Sequence, residues 1–240
     1  TRFHCIYWPA MLMSAELELP RTVWAHGFIS FGGGKISKSE GVGFDLADAI
    51  GRHGPDALRY YLLREIPWNG DGDFSWERFD ERYNADLANN IGNLANRAIT
   101  MIEKYRGGVV PNGSSTRLDE EIAAALVRYR TAMEAGLLHM GATAAIELAD
   151  AANAFVVERE PWKLAKDPAR AADLDDTLAS LAHALSALAS LLHPFMPAKT
   201  AELAAMLGLD GVALLDDVAA PNLAGRHVAR GPVLFPRLES

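Results

Sequence analysis

From Ser75 onward the apolar positions fall at helical spacing. Phe79, Tyr83, Leu87, Ile91, Leu94, Ala98, Ile102 and Tyr105 recur in steps of four and three, which places them on one buried helix face. Ser75 stands before the run as an N-cap and Gly107-Gly108 stops it, so one helix is predicted over Trp76–Tyr105. Val109 to Thr116 carries Pro111, Gly113 and two serines and reads as a loop. Further helices are predicted over 118–138, over 142–158 with Pro161 beyond its end, over 172–192, and over 198–207 with Gly208 as its stop. The tail from Arg226 is extended around Pro232 and Pro236. Short loops between such helices predict an antiparallel bundle.

Before residue 75 the pattern is different. Val23-Trp24-Ala25 and Phe28-Ile29-Ser30-Phe31 are short aromatic and β-branched runs among frequent glycines, and read as short strands. Asp71, Asp73 and Ser75 read as shaping and capping the turn into the long helix. The fold class is therefore α/β followed by all-α.

Composition narrows this picture. Half of the residues are hydrophobic and 22% are charged, as in a globular domain. The single cysteine, Cys5, excludes a disulfide framework and a Cys-rich zinc knuckle, and fits a reducing, cytoplasmic setting. No secretory signal is visible at Thr1-Arg2-Phe3, which gives the same expectation. Thr177 to Ala198 lacks charged side chains over a length that could cross a membrane. Its Ala and Ser content, His183, His193, Pro194 and Pro197 favour a buried helix instead, so no membrane partner is expected.

The net charge of −8 argues at face value against nucleic acid. The acidity is local, however. Residues 41–84 and 109–160 each carry −4, whereas 1–40 and 85–108 each carry +1. RNA is not excluded; affinity would rest on base stacking and base-edge contacts more than on a broad basic patch.

Four places could carry chemistry. The loop from Gly32 to Gly41 brings approachable backbone, Lys35 and Lys38, and Ser37 and Ser39 together, which suits a phosphate chain whose charge grows as a leaving group departs. It does not match the G-x-x-x-x-G-K-[ST] loop, and a solvated turn has the same composition. Asn93 and Arg97 are four apart and project side by side from the polar face that also holds Asn89 and Asn96; amide and guanidinium groups read unstacked bases well. The same face could simply be solvated. Trp162, after Glu160-Pro161, could pack or stack on a base, with Lys163 and Lys166 beside it for phosphates. His4, beside Phe3, Tyr7 and Trp8, reads on sequence alone as a core histidine.

Lys35-Ile36-Ser37-Lys38-Ser39 closely resembles the KMSKS motif of class I aminoacyl-tRNA synthetases, with Ile for Met. Phe3-His4-Cys5-Ile6-Tyr7-Trp8-Pro9-Ala10-Met11-Leu12-Met13-Ser14 looks like a segment of methionyl-tRNA synthetases. So do Ala25-His26-Gly27-Phe28, Asp56–Glu65, Asp71–Ser75, Arg82–Asn89 and Asn93-Leu94-Ala95-Asn96-Arg97.

The resemblance implies the C-terminal portion of a Rossmann-type catalytic domain over 1–40, a linking stem-contact region over 41–84, a helical anticodon-binding domain over 85–225 and a tail over 226–240 that packs back on the body. It implies that Lys38, assisted by Lys35, stabilises the departing pyrophosphate. Ser37, His26 and Gly27 would also meet ATP. Phe3, His4 and Trp8 would form the methionine side-chain pocket, where aromatic rings and an N–H suit a polarizable thioether. Asn93, Arg97 and Trp162 would bind the anticodon.

The implied reaction consumes methionine and ATP-Mg2+, forms methionyl-adenylate, and passes methionine to tRNA(Met). The HIGH motif and the inserted region that often carries zinc are absent from these residues. The chain is therefore expected to need the N-terminal half of the catalytic domain as a partner and not to form adenylate alone. A monomer is expected. The alternatives are a non-catalytic tRNA-binding fragment, or a sister synthetase for Leu, Ile, Val or Cys, against which the Phe3–Ser14 block speaks.

Overall fold

The computed structural model describes residues 2–35, 45–68, 70–219 and 223–237. It is mostly helical with one small sheet. A π-helical turn at Phe3–Tyr7 leads into α1 (Trp8–Ser14). The strands are β1 (Ile29–Phe31), β2 (Gly34–Lys35) and β3 (Gly72–Phe74), in the order β2-β1-β3. β1 runs antiparallel to β2 and parallel to β3, with Ser30 opposite both Lys35 and Asp73.

Between the strands lie α2 (Leu46–His53) and α3 (Pro55–Glu65), two helices that the hydrophobic pattern did not separate. Asp45 caps α2 by accepting from the Ala47 amide at 2.8 Å. Gly54, at φ +87°, then allows the chain to turn sharply into Pro55, the first residue of α3.

The expected long helix is present, with a change of pitch inside it. α4 (Trp76–Arg82) passes into a π-helical segment, Tyr83–Gly92, and then into α5 (Asn93–Arg106). Ser75 Oγ accepts from the Arg78 amide at 3.2 Å, and Gly107 ends the helix in the left-handed region. Phe79, Tyr83, Leu87, Ile91, Leu94, Ala98 and Ile102 are all buried. Apolar steps of four do not distinguish α from π pitch, so the wider segment was not legible in the pattern. Position 84/85 lies within it.

The remaining helices are α6 (Arg117–Glu134), α7 (Leu138–Arg159), α8 (Pro161–Leu164), α9 (Ala171–Leu192) and α10 (Pro197–Met206), with a 3₁₀ turn at Pro168–Arg170. A capping box at Thr116 and Asp119 starts α6. The uncharged run beginning at Thr177 belongs mostly to α9, which packs against α5, α6, α7 and α10. It is apolar all round because it is enclosed all round. Each fully buried leucine there, such as Leu185 or Leu188, contributes about 1.5–3 kcal/mol by leaving water. α3 is tied to the same body: Asp56 Oδ2 accepts from the Lys199 amide at 2.7 Å, and Arg59 donates to the Pro194 carbonyl at 2.9 Å. The tail returns to it as well, with His227 bridged to Val109, Arg230 paired with Glu103, and Leu234 and Phe235 buried.

One expectation is corrected here. Val23-Trp24-Ala25 is not a strand: Trp24 stacks on Trp68, 4.8 Å between ring centres, and no strand among the described residues pairs with it. The bulky residues that suggest a strand here serve ring stacking.

Buried histidines set an acid limit on stability. His53 donates from Nε2 to Asp80 at 2.7 Å and stacks on Tyr83 at 3.8 Å, which leaves Nδ1 bare and buried without a partner. Burial holds its imidazole below the ordinary value, against the opposing pull of Asp80. His139 is lowered by burial and then by Arg64. Below the ordinary histidine value the unfolded chain binds more protons than the folded one, so this contribution is present at neutral pH and is lost as pH falls. Urea midpoints are expected to drop between about pH 7 and about pH 5, and to drop less in His139→Gln.

Candidate nucleotide and tRNA sites

The sheet fixes the entry to the lysine loop. Asp71 Oδ1 accepts from the Phe28 amide at 2.7 Å, and the Gly72 amide donates to the Phe28 carbonyl at 2.9 Å. Asp73 Oδ1 accepts from Ser30 Oγ at 2.6 Å and from the Gly33 amide at 3.0 Å. These donors, the Ser30 hydroxyl first, hold the Asp73 carboxyl below its usual range. The two carboxylates thus bind β1 and its turn, while Ser75 alone caps the long helix. Gly32 and Gly33, at φ +58° and +76°, make the turn that delivers Lys35 at the end of β2. Ser37 and Lys38 lie outside the described residues.

His26 and Gly27 stand immediately before β1. His26 Nδ1 donates to the Gly27 carbonyl at 2.8 Å, and its ring meets Trp68 edge-on at 5.1 Å. Gly27 has no room for a side chain: a Cβ would lie 1.9 Å from the Gly70 carbonyl oxygen. His26, Gly27, Leu62, Ile66 and Trp68 line a small cavity of about 100 Å³. Trp68 went unnoticed in the sequence because it sits among turn residues.

Phe3, His4 and Trp8 share the first helical turns and are exposed to solvent. Phe3 is 73% exposed and Trp8 41%. Phe3 meets Tyr7 at 5.3 Å, and His4 meets Trp8 at 6.1 Å, pairs set by helical i,i+4 spacing. His4 is exposed, which corrects its reading as a core histidine. With Ile6, Met11, Met13 and Leu17 also exposed, this segment presents a large apolar surface to solvent.

On α5, Leu94, Ala95, Ala98, Ile99 and Ile102 are buried, so Asn93 and Asn96 face outward and Arg97 is half-buried. Neither the Asn93 nor the Arg97 side chain takes a hydrogen-bond or ion-pair partner among the described residues. Two neighbouring amides are already engaged: Asn89 binds Arg237, while Asn90 donates to Asp150 at 2.6 Å and accepts from Asn153 at 2.7 Å. That Asn93, Asn96 and Arg97 stay unengaged could not be read from helical spacing.

Trp162 opens α8 and is 39% exposed. Glu160 adopts the left-handed conformation, φ +46°, where α7 ends and Pro161 begins the next helix. Lys163 pairs with Glu160 at 2.8 Å. No hydrogen bond or ring contact among the described residues joins Trp162 to Asn93 or Arg97. Cys5 is exposed, and no group of three His, Cys, Asp or Glu side chains among the described residues could hold a metal ion.

Two family models cover the chain. Residues 1–99 match the class I tRNA synthetases (M), and residues 107–239 match the anticodon binding domain of methionyl tRNA ligase. The methionine–tRNA ligase of Bacillus subtilis (strain 168) is 40% identical over 248 residues, which is 100% of this chain and 37% of that protein. That of Brucella suis biovar 1 (strain 1330) is 40% identical over 99% of this chain and 47% of its own length. Among solved structures, Mycobacterium tuberculosis methionyl-tRNA synthetase bound by methionyl-adenylate superposes with a TM-score of 0.89 at 34% identity, over 98% of this chain and 48% of that one. Its apo form gives 0.86 at 32% identity over 100% of this chain and 48% of that one. The chain thus spans well under half of the first of these curated relatives and about half of the solved chains. The chain belongs to the methionyl-tRNA synthetase family of class I aminoacyl-tRNA synthetases.

Proposed function

We propose that this chain is the C-terminal part of a methionine–tRNA ligase, one that activates methionine with ATP-Mg2+ and transfers it to tRNA(Met). The observation that carries the reading is the order of its parts. A KMSKS-like loop leaves the small sheet, and one unbroken helix leads from there to the unengaged Asn93 and Arg97. In this reading residues 1–40 close a Rossmann-type nucleotide fold, 41–84 meet the inner side of the tRNA, and 85–225 are an antiparallel anticodon-binding bundle held by the tail over 226–240. The exposed apolar side chains of Phe3–Leu17 fit a surface that the N-terminal half of the catalytic domain covers.

The chemistry asked of this chain is positioning and charge stabilisation. Methionine carboxylate attacks the ATP α-phosphorus, and pyrophosphate leaves with growing negative charge. Lys38, assisted by Lys35 and Ser37, meets that charge, while the backbone at His26-Gly27 seats the nucleotide. No residue here needs to act as a base. Phe3, His4 and Trp8 supply the side-chain pocket. A methylene difference in an apolar pocket gives only about 1–3 kcal/mol, so an imidazole or tyrosyl donor to sulfur adds the needed discrimination. Asn93 and Arg97 read anticodon base edges and Trp162 stacks on a base. The protein works as a cytoplasmic monomer.

Amino-acid-dependent ATP–pyrophosphate exchange on the full-length protein tests this reading. Exchange is expected with methionine and not with Leu, Ile, Val or Cys; exchange with one of those, or with none, overturns it.

A further inference from the structure

The bundle and the nucleotide-side strand meet through a short series of rings. The turn between α6 and α7 passes through Gly136 at φ +71°, and a Cβ there would lie 2.5 Å from two carbons of the Trp24 indole. Trp24 also contacts Trp68, stacked at 4.8 Å with an interplanar angle of 16°. Trp68 in turn carries the His26 ring on its face at 5.1 Å and 72°. The loop that bears Trp68 also supplies Gly70, whose carbonyl abuts Gly27, and Asp71, which holds the Phe28 amide.

We infer that Gly136, Trp24 and Trp68 are positioning residues that transmit the placement of the helical bundle to the ATP-side segment His26-Gly27. The inference rests on the proposed ATP role of that segment. Three features support transmission over incidental contact. Every link is a ring or backbone contact, so a displacement at one end bears directly on the next member, although Trp24 itself is 51% exposed. The only side chain that fits at position 136 is none at all, which places the α6–α7 turn flush against Trp24. Gly27 is equally closed on its far side, so a shift in the Trp68 loop moves the Gly27–Phe28 backbone that enters β1 and leads to Lys35. Stacked indoles are stiff, with two side-chain torsions each. None of these residues needs to touch substrate.

The test is a double-mutant cycle in the full-length protein, read by ATP–pyrophosphate exchange. Gly136→Ala is expected to raise the ATP KM about 3- to 10-fold while leaving the methionine KM in place. Trp24→Ala and Trp68→Ala are expected to act in the same direction, and Trp68→Phe to restore the ordinary ATP KM. In a Trp24→Ala background the steric push of Gly136→Ala has nothing to act on, so it should add no further change. The left-handed strain at position 136 persists in that background, so a merely destabilised turn would still show an added effect. An unchanged ATP KM in Gly136→Ala, or simple additivity with Trp24→Ala, overturns this inference alone. Absence of exchange in the unsubstituted protein overturns the adenylation reading and this inference with it.

Discussion

Lys38→Ala in the full-length protein is expected to lower methionine-dependent ATP–pyrophosphate exchange by about 10²- to 10³-fold, the effect of removing one preorganised charge stabiliser. The reasoning starts from where charge develops. The departing pyrophosphate gains negative charge as its bond to the α-phosphorus breaks. A compact ammonium on the loop is worth most at that moment and little in the ground state, so kcat should fall more than the ATP KM rises. The framework below the loop is fixed by Asp71 and Asp73, so the fold should survive the substitution. Binding of tRNA should survive as well. A loss confined to the ATP KM would assign Lys38 to uniform binding; no loss would remove it from the reaction.

Arg97→Ala and Trp162→Ala are expected to do the reverse. Each should weaken tRNA(Met) binding about 5- to 100-fold, from the 1–3 kcal/mol that a base stack or base-edge contact contributes, and leave methionine-dependent exchange in place. Both side chains can be truncated cheaply. Arg97 makes no ion pair among the described residues, and Trp162 is 39% exposed. Asn89 and Asn90, which share the polar face, serve as controls of a different kind. They hold Arg237 and Asp150, so their replacement should cost stability before it costs tRNA affinity. Equal loss of exchange and tRNA binding in Arg97→Ala would contradict the separation of the two sites.

The helices were legible because their signals are local. Ser75, Gly107 and the four-and-three spacing of Phe79 through Ile102 each act within a turn or two of where they stand. The π-helical segment was not, because apolar steps of four suit both pitches. Val23–Ala25 misled for a related reason: bulky residues fit a strand, but strand formation needs a neighbour, and Trp24 found Trp68 instead. At the candidate sites, residue types and spacing left a plain reading open beside the functional one, and the resemblance to methionyl-tRNA synthetases singled out Lys35, Lys38, Asn93, Arg97 and Trp162. Which members of the polar face stay unengaged depends on partners 60 or more residues away, such as Asp150 for Asn90. The ring series from Gly136 to His26 joins residues that no local pattern connects.

Anticodon reading by the helical half of this chain is tested by a titration of this chain with tRNA(Met) and with the same tRNA carrying replaced anticodon bases, at one fixed salt concentration, since phosphate contacts make all such affinities salt-dependent. Anticodon replacement is expected to weaken binding by about tenfold or more, from the loss of at least one stacked or edge-read base, and Trp162→Ala to remove much of that discrimination. Equal affinity for the two tRNAs would contradict it.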